Sequence, residues 1–261
     1  MQRYMIIIVA VIGTFVGGCS KSVNPESGEG EIKMNLIDSP AGFDQVNIVV
    51  TRVEVHKAGS DTASGWTVVN NNPATHNLLA LRNGASAILG TSKLTVGRYT
   101  QIRLMIGSGS NVVVDGVTRN LTIPSGVQTG VKLVHGFEIE ADKLYELTLD
   151  FDAARSINVA GTQYMLKPTI RVQANVVSGT ISGTISPAAA KASVTTVVGA
   201  DTVSTAADTT SGAFKLMAMP EGTYTLRIVP SVTTYRDTTI TGVVVVRQQD
   251  RNIGTVTLRQ R

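Results

Sequence analysis

The chain has little of what makes chemistry easy to read. Its 261 residues include one cysteine, Cys19. No disulfide can form within the chain, and any fold must hold by core packing alone. There are three histidines, His56, His76 and His135. They lie far apart, without the HxxxH spacing that sets two ligands on one helix face, so neither a zinc site nor a catalytic imidazole is expected. Charged residues are only 16% of the chain, and the basic ones are scattered. Phosphate neutralisation needs clustered cations, so no nucleic-acid partner is expected. Aromatic residues are 5%, with one tryptophan, which is few for a sugar-binding surface. No GxSxG elbow presents a serine nucleophile. Gly107-Ser108-Gly109-Ser110 lacks the lysine and helix of a phosphate loop and reads as a hairpin loop. No apolar run is long enough to cross a membrane as a good helix. Met5 to Val16 is twelve residues, against about 20 for a hydrocarbon core.

That short run has the length of a signal-peptide core, and Arg3 before it supplies the positive start. It leads into Val16-Gly17-Gly18-Cys19, an aliphatic residue, two small residues and a cysteine. The tetrad resembles the lipobox of bacterial lipoproteins. The resemblance implies cleavage before Cys19, a diacylglycerol on its thiol and acylation of the new amino terminus. Two or more chains hold a protein stably at a membrane, at about 0.8 kcal/mol per buried methylene. Loss of residues 1–18 would remove Arg3 alone among the charges and lower the formal charge from +4 to +3. Residues 19–30 continue as SKSVNPESGEG after the cysteine, a polar Ser/Gly/Glu stretch expected to be a flexible tether. Ser20, rather than aspartate, after the cysteine resembles the pattern that sends many Gram-negative lipoproteins to the outer membrane. The expected location is therefore the cell envelope, anchored by lipid.

The remainder of the chain is rich in Val, Thr, Ile and Gly, a composition that favours pleated strands joined by turns. Residues 31–37 alternate, with Ile32, Met34 and Leu36 on one face and Lys33 and Asn35 on the other, as a half-buried strand does. Strands are likewise expected at 46–56, 66–69, 98–106, 132–140, 143–151 and 165–175. Asp115-Gly116 between Val112–Val114 and Val117-Thr118 marks a two-residue hairpin, because a type I′ turn needs positive φ at both positions. Residues 77–89 are the one segment expected to be helical. A second set of strands is expected at 178–185, within 211–226, and at 238–246 and 252–258. The fold class expected is all-β: two β-sandwich-like, Greek-key domains in tandem, at 31–176 and 177–261, after the signal peptide (1–18) and the tether (19–30). Gly97-Arg98-Tyr99-Thr100 is echoed by Gly222-Thr223-Tyr224-Thr225. The echo marks either kinship of the two domains, each with a tyrosine reaching backbone at a sandwich corner, or a chance likeness of two turns.

Several motifs in the first domain act together as a signature: LIDSPAGFDQVNIVVTRVEVH (36–56), GW (65–66), LLALRNGASAILG (78–90), GRYTQIRL (97–104), LTIPSGVQTGVKL (121–133), LDFDAARSI (149–157) and YMLKPTIRV (164–172). They resemble the lipoprotein domain family DUF4382, which has no assigned activity. In the second domain the paired Gly-Thr-Ile start at 179–185, Gly212-Ala213-Phe214, the turn Pro220-Glu221-Gly222-Thr223-Tyr224 and the close at 253–258 resemble carboxypeptidase regulatory-like and transthyretin-like modules. These are grouped with carbohydrate-binding-like folds. That resemblance implies a sandwich rather than an activity.

Few residues are candidates for chemistry. Asp150 and Asp152 share a strand face around Phe151 and suit either a calcium ion or paired acid work. Arg155 nearby is the expected neutraliser, and a plain ion pair at a strand end is the competing reading. Asp38, before Ser39-Pro40, and Asp44 sit in one loop, as turn formers or as ligands of a cation. Trp66 is either core or a platform for a sugar ring. Lys132 and Lys167 fall within the family-like motifs and read as solvated strand positions. Asn120-Leu121-Thr122 is a sequon by coincidence. No catalytic residue and no cofactor is expected beyond the lipid, with calcium as the one ion the acids suit. The function expected first is non-catalytic binding at the envelope, of glycan or of another envelope protein. A structural or assembly role is second, and a hydrolase using Asp150 or Asp152 a distant third.

Overall fold

The computed structural model describes residues 28–124 and 130–261. The signal peptide, Cys19 and most of the tether lie outside the described residues. The strands of the first half are β1 (Glu29–Ser39), β2 (Gln45–Lys57), β3 (Trp66–Asn70), β4 (Ala74–Asn77), β5 (Ala87–Thr95), β6 (Gly97–Ile106), β7 (Asn111–Val114), β8 (Val117–Thr122), β9 (Val131–Ile139), β10 (Leu144–Asp152), β11 (Ile157–Ala160), β12 (Gln163–Leu166) and β13 (Ile170–Ala174). Those of the second are β14 (Ser178–Ser186), β15 (Ala192–Val198), β16 (Asp201–Ala206), β17 (Ala213–Pro220), β18 (Gly222–Pro230), β19 (Thr238–Val245) and β20 (Asp250–Thr257).

The first half closes as a sandwich. One sheet runs β13-β10-β1-β5; the other runs β11-β12-β8-β7-β2-β6-β9, with β3 and β4 on the free side of β2. Alternation decides which side chains meet between them. Ile32, Met34 and Leu36 of β1 and Leu147 and Leu149 of β10 face Val46, Ile48, Val53 and Val55 of β2 and Ile102 and Leu104 of β6, all buried. Each large side chain withdrawn from water stabilises the fold by about 1.5–3 kcal/mol. The second half is a smaller sandwich, β17-β14-β20 against β16-β15-β18-β19. Its separate core is built on Ile181, Val194, Phe214, Leu216, Met219, Leu226, Ile228 and Val243. The all-β sandwich class is as the patterning implies.

The Asp115-Gly116 hairpin forms as expected. Asp115 and Gly116 have φ of 49° and 72°, and Val114 pairs with Val117 across the turn. The helix expected at 77–89 does not form. Leu78–Ala80 makes one 3₁₀ turn, and then Asn83 and Gly84 take φ of 57° and 95°. Two successive left-handed residues end a helix, and Ala87–Thr95 continues as a strand on β1. The first sandwich also contains two parallel pairs, β1 with β10 and β8 with β12, and the second contains one, β14 with β20, none of which local patterning announces. Among the described residues no helix is long and apolar enough to cross a membrane.

The tyrosine echo has one geometry in both halves. The Tyr99 hydroxyl donates to Thr95 O at 3.1 Å, and the Tyr224 hydroxyl donates to Pro220 O at 2.8 Å, each four residues back. Gly97, at φ 124°, turns the chain between Thr95 and Tyr99, where a side chain would be strained. Tyr99→Phe and Tyr224→Phe should each cost about 1 kcal/mol. Urea unfolding reads this directly, and an unchanged midpoint in both variants would mean the hydroxyls hold nothing.

Candidate functional site

Three of the acids picked from sequence gather at one place. Parallel pairing sets Ile37 of β1 opposite Asp150 of β10, and Ser39 opposite Asp152. This brings Asp38, Asp150 and Asp152 together where the first sandwich meets β16 and β17 of the second. Asp38 and Asp150 are buried, with 4% and 6% of their surface exposed.

Each acid is already engaged. Asp38 Oδ1 accepts from the Ala153 N–H at 3.0 Å, while its Oδ2 is buried without a partner among the described residues. Burial is the main reason its carboxyl is pushed up to about 8, with Asp150 and Asp152 adding repulsion against the help of backbone N–H groups. Asp150 Oδ2 accepts from Arg171 Nη2 at 2.9 Å. Burial raises its pKa too, with Arg171 pulling the other way. Asp152 caps the single helical turn Ala153–Ser156, its side chain accepting from the Arg155 N–H at 2.9 Å.

Arg155 is not the neutraliser that its place in sequence suggested. Its guanidinium lies 3.5 Å from Asp201 of β16, and Arg171 takes the role. Register explains the change: on β13, Arg171 stands directly opposite Asp150. Arg171 also reaches across, Nη1 donating to Ala218 O of β17 at 2.7 Å. With Asn83 Nδ2 donating to Ala213 O at 3.0 Å, these contacts stitch the two sandwiches.

The space at this seam is small. One cavity, beside Asp38, Asp150 and Thr205, is about 10 Å³, and another, beside Asp150, Asp152, Arg155 and Asp201, is about 30 Å³. Each is of the size of a water molecule, whereas small-molecule sites run from about 300 Å³ upward. Among the described residues no group of three His, Cys, Asp or Glu side chains is set to hold a metal ion.

The other candidates lie elsewhere. Asp44 Oδ2 accepts from the Gly116 N–H at 2.9 Å and braces the Asp115-Gly116 hairpin. Trp66 is neither core nor an open platform. It is half-buried at the start of β3, with the Arg103 guanidinium 4.0 Å above its ring, Lys132 Nζ at 5.8 Å and His56 against its edge. Its Nε1–H donates to Thr62 O at 3.1 Å. Arg103 is held in turn by the buried Glu54, at 2.5 Å from Nε. Every described aromatic side chain is buried or half-buried. A wider, open cleft of about 670 Å³ has Lys57, Arg98, Glu138 and Glu140 along its walls, with none of the seam acids in it.

Sequence reasoning missed Arg171, Glu54 and Arg103. The signal for Arg171 was present: one cation between Ile170 and Val172, and one anion between Leu149 and Phe151, each inside an apolar strand. Two such charges become affordable where they are neighbours.

Residues 29–168, more than half of the chain, match the family described as domain of unknown function (DUF4382). No curated protein matches the sequence. Among solved structures, a type II cohesin–X-dockerin complex from Acetivibrio cellulolyticus is similar at 26% identity and a TM-score of 0.25, covering 31% of this chain and 58% of that one. The Bacillus anthracis TIE protein is similar at 14% and 0.24, over 89% of this chain and 34% of that one. The shaft pilin SpaA of Lactobacillus rhamnosus GG is similar at 9% and 0.24, over 90% and 98%. Scores this low carry nothing from those proteins to this chain.

Proposed function

The chain belongs to the DUF4382 family, and on that premise we propose that it is a lipid-anchored envelope protein whose body binds or assembles with another protein without catalysis. The observation that carries the non-catalytic reading is the state of the three acids. Asp38, Asp150 and Asp152 are engaged by Ala153, Arg171 and the Arg155 N–H, around cavities of about 10 and 30 Å³. A hydrolase needs a free acid beside room for substrate.

The anchor rests on Arg3, the run Met5–Val16 and the tetrad ending at Cys19. Residues 31–176 and 177–261 act as two domains in this reading, the second a carboxypeptidase regulatory-like module. Its two sheets and separate core support that assignment. A protein partner is favoured over a glycan because sugar rings are gripped by exposed aromatic faces, and Trp66 already carries Arg103. The seam acids are spoken for, which leaves calcium little to hold.

Cys19→Ala tests the anchor. The wild type should incorporate palmitate and sediment with membranes, and the variant should do neither; an unlabelled wild type contradicts the reading. A glycan array probed with residues 20–261, with calcium and with chelator, should be blank in both conditions. A saturable hit would move the reading to carbohydrate, and calcium dependence would reopen the Asp38, Asp44, Asp150 and Asp152 sites.

A further inference from the structure

Among the described residues β9 hydrogen-bonds only to β6, at the end of the larger sheet. It is nine residues long and contains no proline. Its outer face carries Lys132, Val134, Gly136 and Glu138, all exposed, and Val134 keeps 89% of its surface in water. An exposed valine on a long open edge is what natural sheets ordinarily avoid.

We infer that β9 pairs with β9 of a second copy of this chain, antiparallel, about a two-fold axis at His135. The sequence of the strand is self-complementary in that register. Lys132 falls opposite the second copy's Glu138, and Glu138 opposite its Lys132. Val134 falls opposite Gly136, whose missing side chain leaves room for it. Leu133 and Phe137 pair on the inner face. The alternation keeps Lys132, Val134, Gly136 and Glu138 on one face, so the charges meet side by side at about 4.5–5.5 Å between Cβ atoms. Neither Lys132 nor Glu138 has an ion-pair partner among the described residues of its own chain.

One feature of an edge that resists pairing is also present. The register with β6 shifts between Tyr99 and Gln101, which sets His135 and Gly136 opposite Thr100 as a bulge. A bulge bends the strand and usually discourages a neighbour. On the two-fold axis at His135 the irregularities of both copies coincide, which leaves the strand on either side of it regular. The interface is isologous and closes at two copies, unlike an open edge that would grow a fibre.

Charge reversal tests the register. Sedimentation equilibrium of residues 20–261, which hold every described strand, should show a concentration-dependent dimer. Lys132→Glu sets glutamate against glutamate twice, and Glu138→Lys sets lysine against lysine twice. Each should weaken self-association about tenfold or more. Mixing the two single variants should restore the dimer as a heterodimer, and the double variant K132E/E138K should restore it alone. A monomeric wild type, single variants that dimerise as well as the wild type, or a mixture that stays monomeric would each overturn the pairing. Both substituted side chains are exposed, so loss of the dimer is not a loss of fold, and circular dichroism checks this.

Discussion

Arg171→Met should destabilise the protein by about 3–5 kcal/mol, the cost of stranding a buried carboxylate without its cation. Asp150 has 6% of its surface exposed, and the Arg171 guanidinium at 2.9 Å is the one ion pair it makes among the described residues. Methionine replaces much of the arginine stem, so the loss is one of charge and hydrogen bonds more than of volume. It also removes the bond from Nη1 to Ala218 O, which crosses to the second sandwich. The effect should therefore appear at the junction as well as in the first core. A fall of this size lowers the melting temperature of a protein this long by about 10 °C. Adding Asp150→Asn to Arg171→Met should recover most of the loss, since the stranded charge is then gone. Urea unfolding of the two single variants and the double closes the cycle. A loss under about 1 kcal/mol in Arg171→Met would mean that water reaches Asp150 and that the seam is open.

Asp38→Asn should change how stability depends on pH. The carboxyl rises from an ordinary 3.8 to about 8 in the folded protein, chiefly through burial. Between those values the folded state keeps a proton that the unfolded chain has given up. Stability then falls as pH rises from about 4 to about 8 and levels off above. A shift of this size corresponds to at most about 6 kcal/mol across the window. Asparagine mimics the protonated acid: its oxygen still accepts from Ala153, and no charge has to be buried. The variant should match the wild type near pH 4 and exceed it increasingly toward pH 8. In the variant the buried Asp150, whose pKa is also raised, still costs stability as pH rises, and two histidines act with the opposite sign in the acid range. Burial lowers the pKa of His76 and His135, so their stabilising contribution is lost as pH falls below about 6.5. Parallel curves for Asp38→Asn and wild type would show that Asp38 does not hold its proton.

Much of the architecture is legible in the sequence because it is local. Alternation of Ile32, Met34 and Leu36 with Lys33 and Asn35 marks β1, and the two positive φ angles that a two-residue turn needs single out Asp115-Gly116. The tyrosine corners are legible as the echo of Gly97 and Tyr99 in Gly222 and Tyr224. Long-range features are not legible. That β1 runs parallel to β10, more than 100 residues away, depends on registers that no short window contains. The acids illustrate the consequence. Asp150 and Asp152 are visible as a pair on one strand, and Arg155 as the nearest cation. Only the pairing of β10 with β13 reveals Arg171 as the partner, and only the parallel pairing brings in Asp38. The helix expected at 77–89 fails for a local reason. Its apolar residues fit a helical period, but Asn83-Gly84 breaks the run, and Ala87–Thr95 has a strand to join. The strands β15 and β16 lie outside the expected set, although Val194, Thr196 and Val198, then Val203 and Thr205, alternate on either side of Gly199-Ala200.

The acids that look like chemistry thus act as a joint, and Asp38 is its most sensitive reporter. The measurement that bears on this most directly is the carboxyl carbon of Asp38, followed by NMR through a pH titration of residues 20–261. The account predicts a midpoint near 8, in a protein whose two sandwiches stay closed over it. A midpoint near the ordinary 3.8 would contradict it, because a carboxyl that titrates as in water is not sealed in a seam.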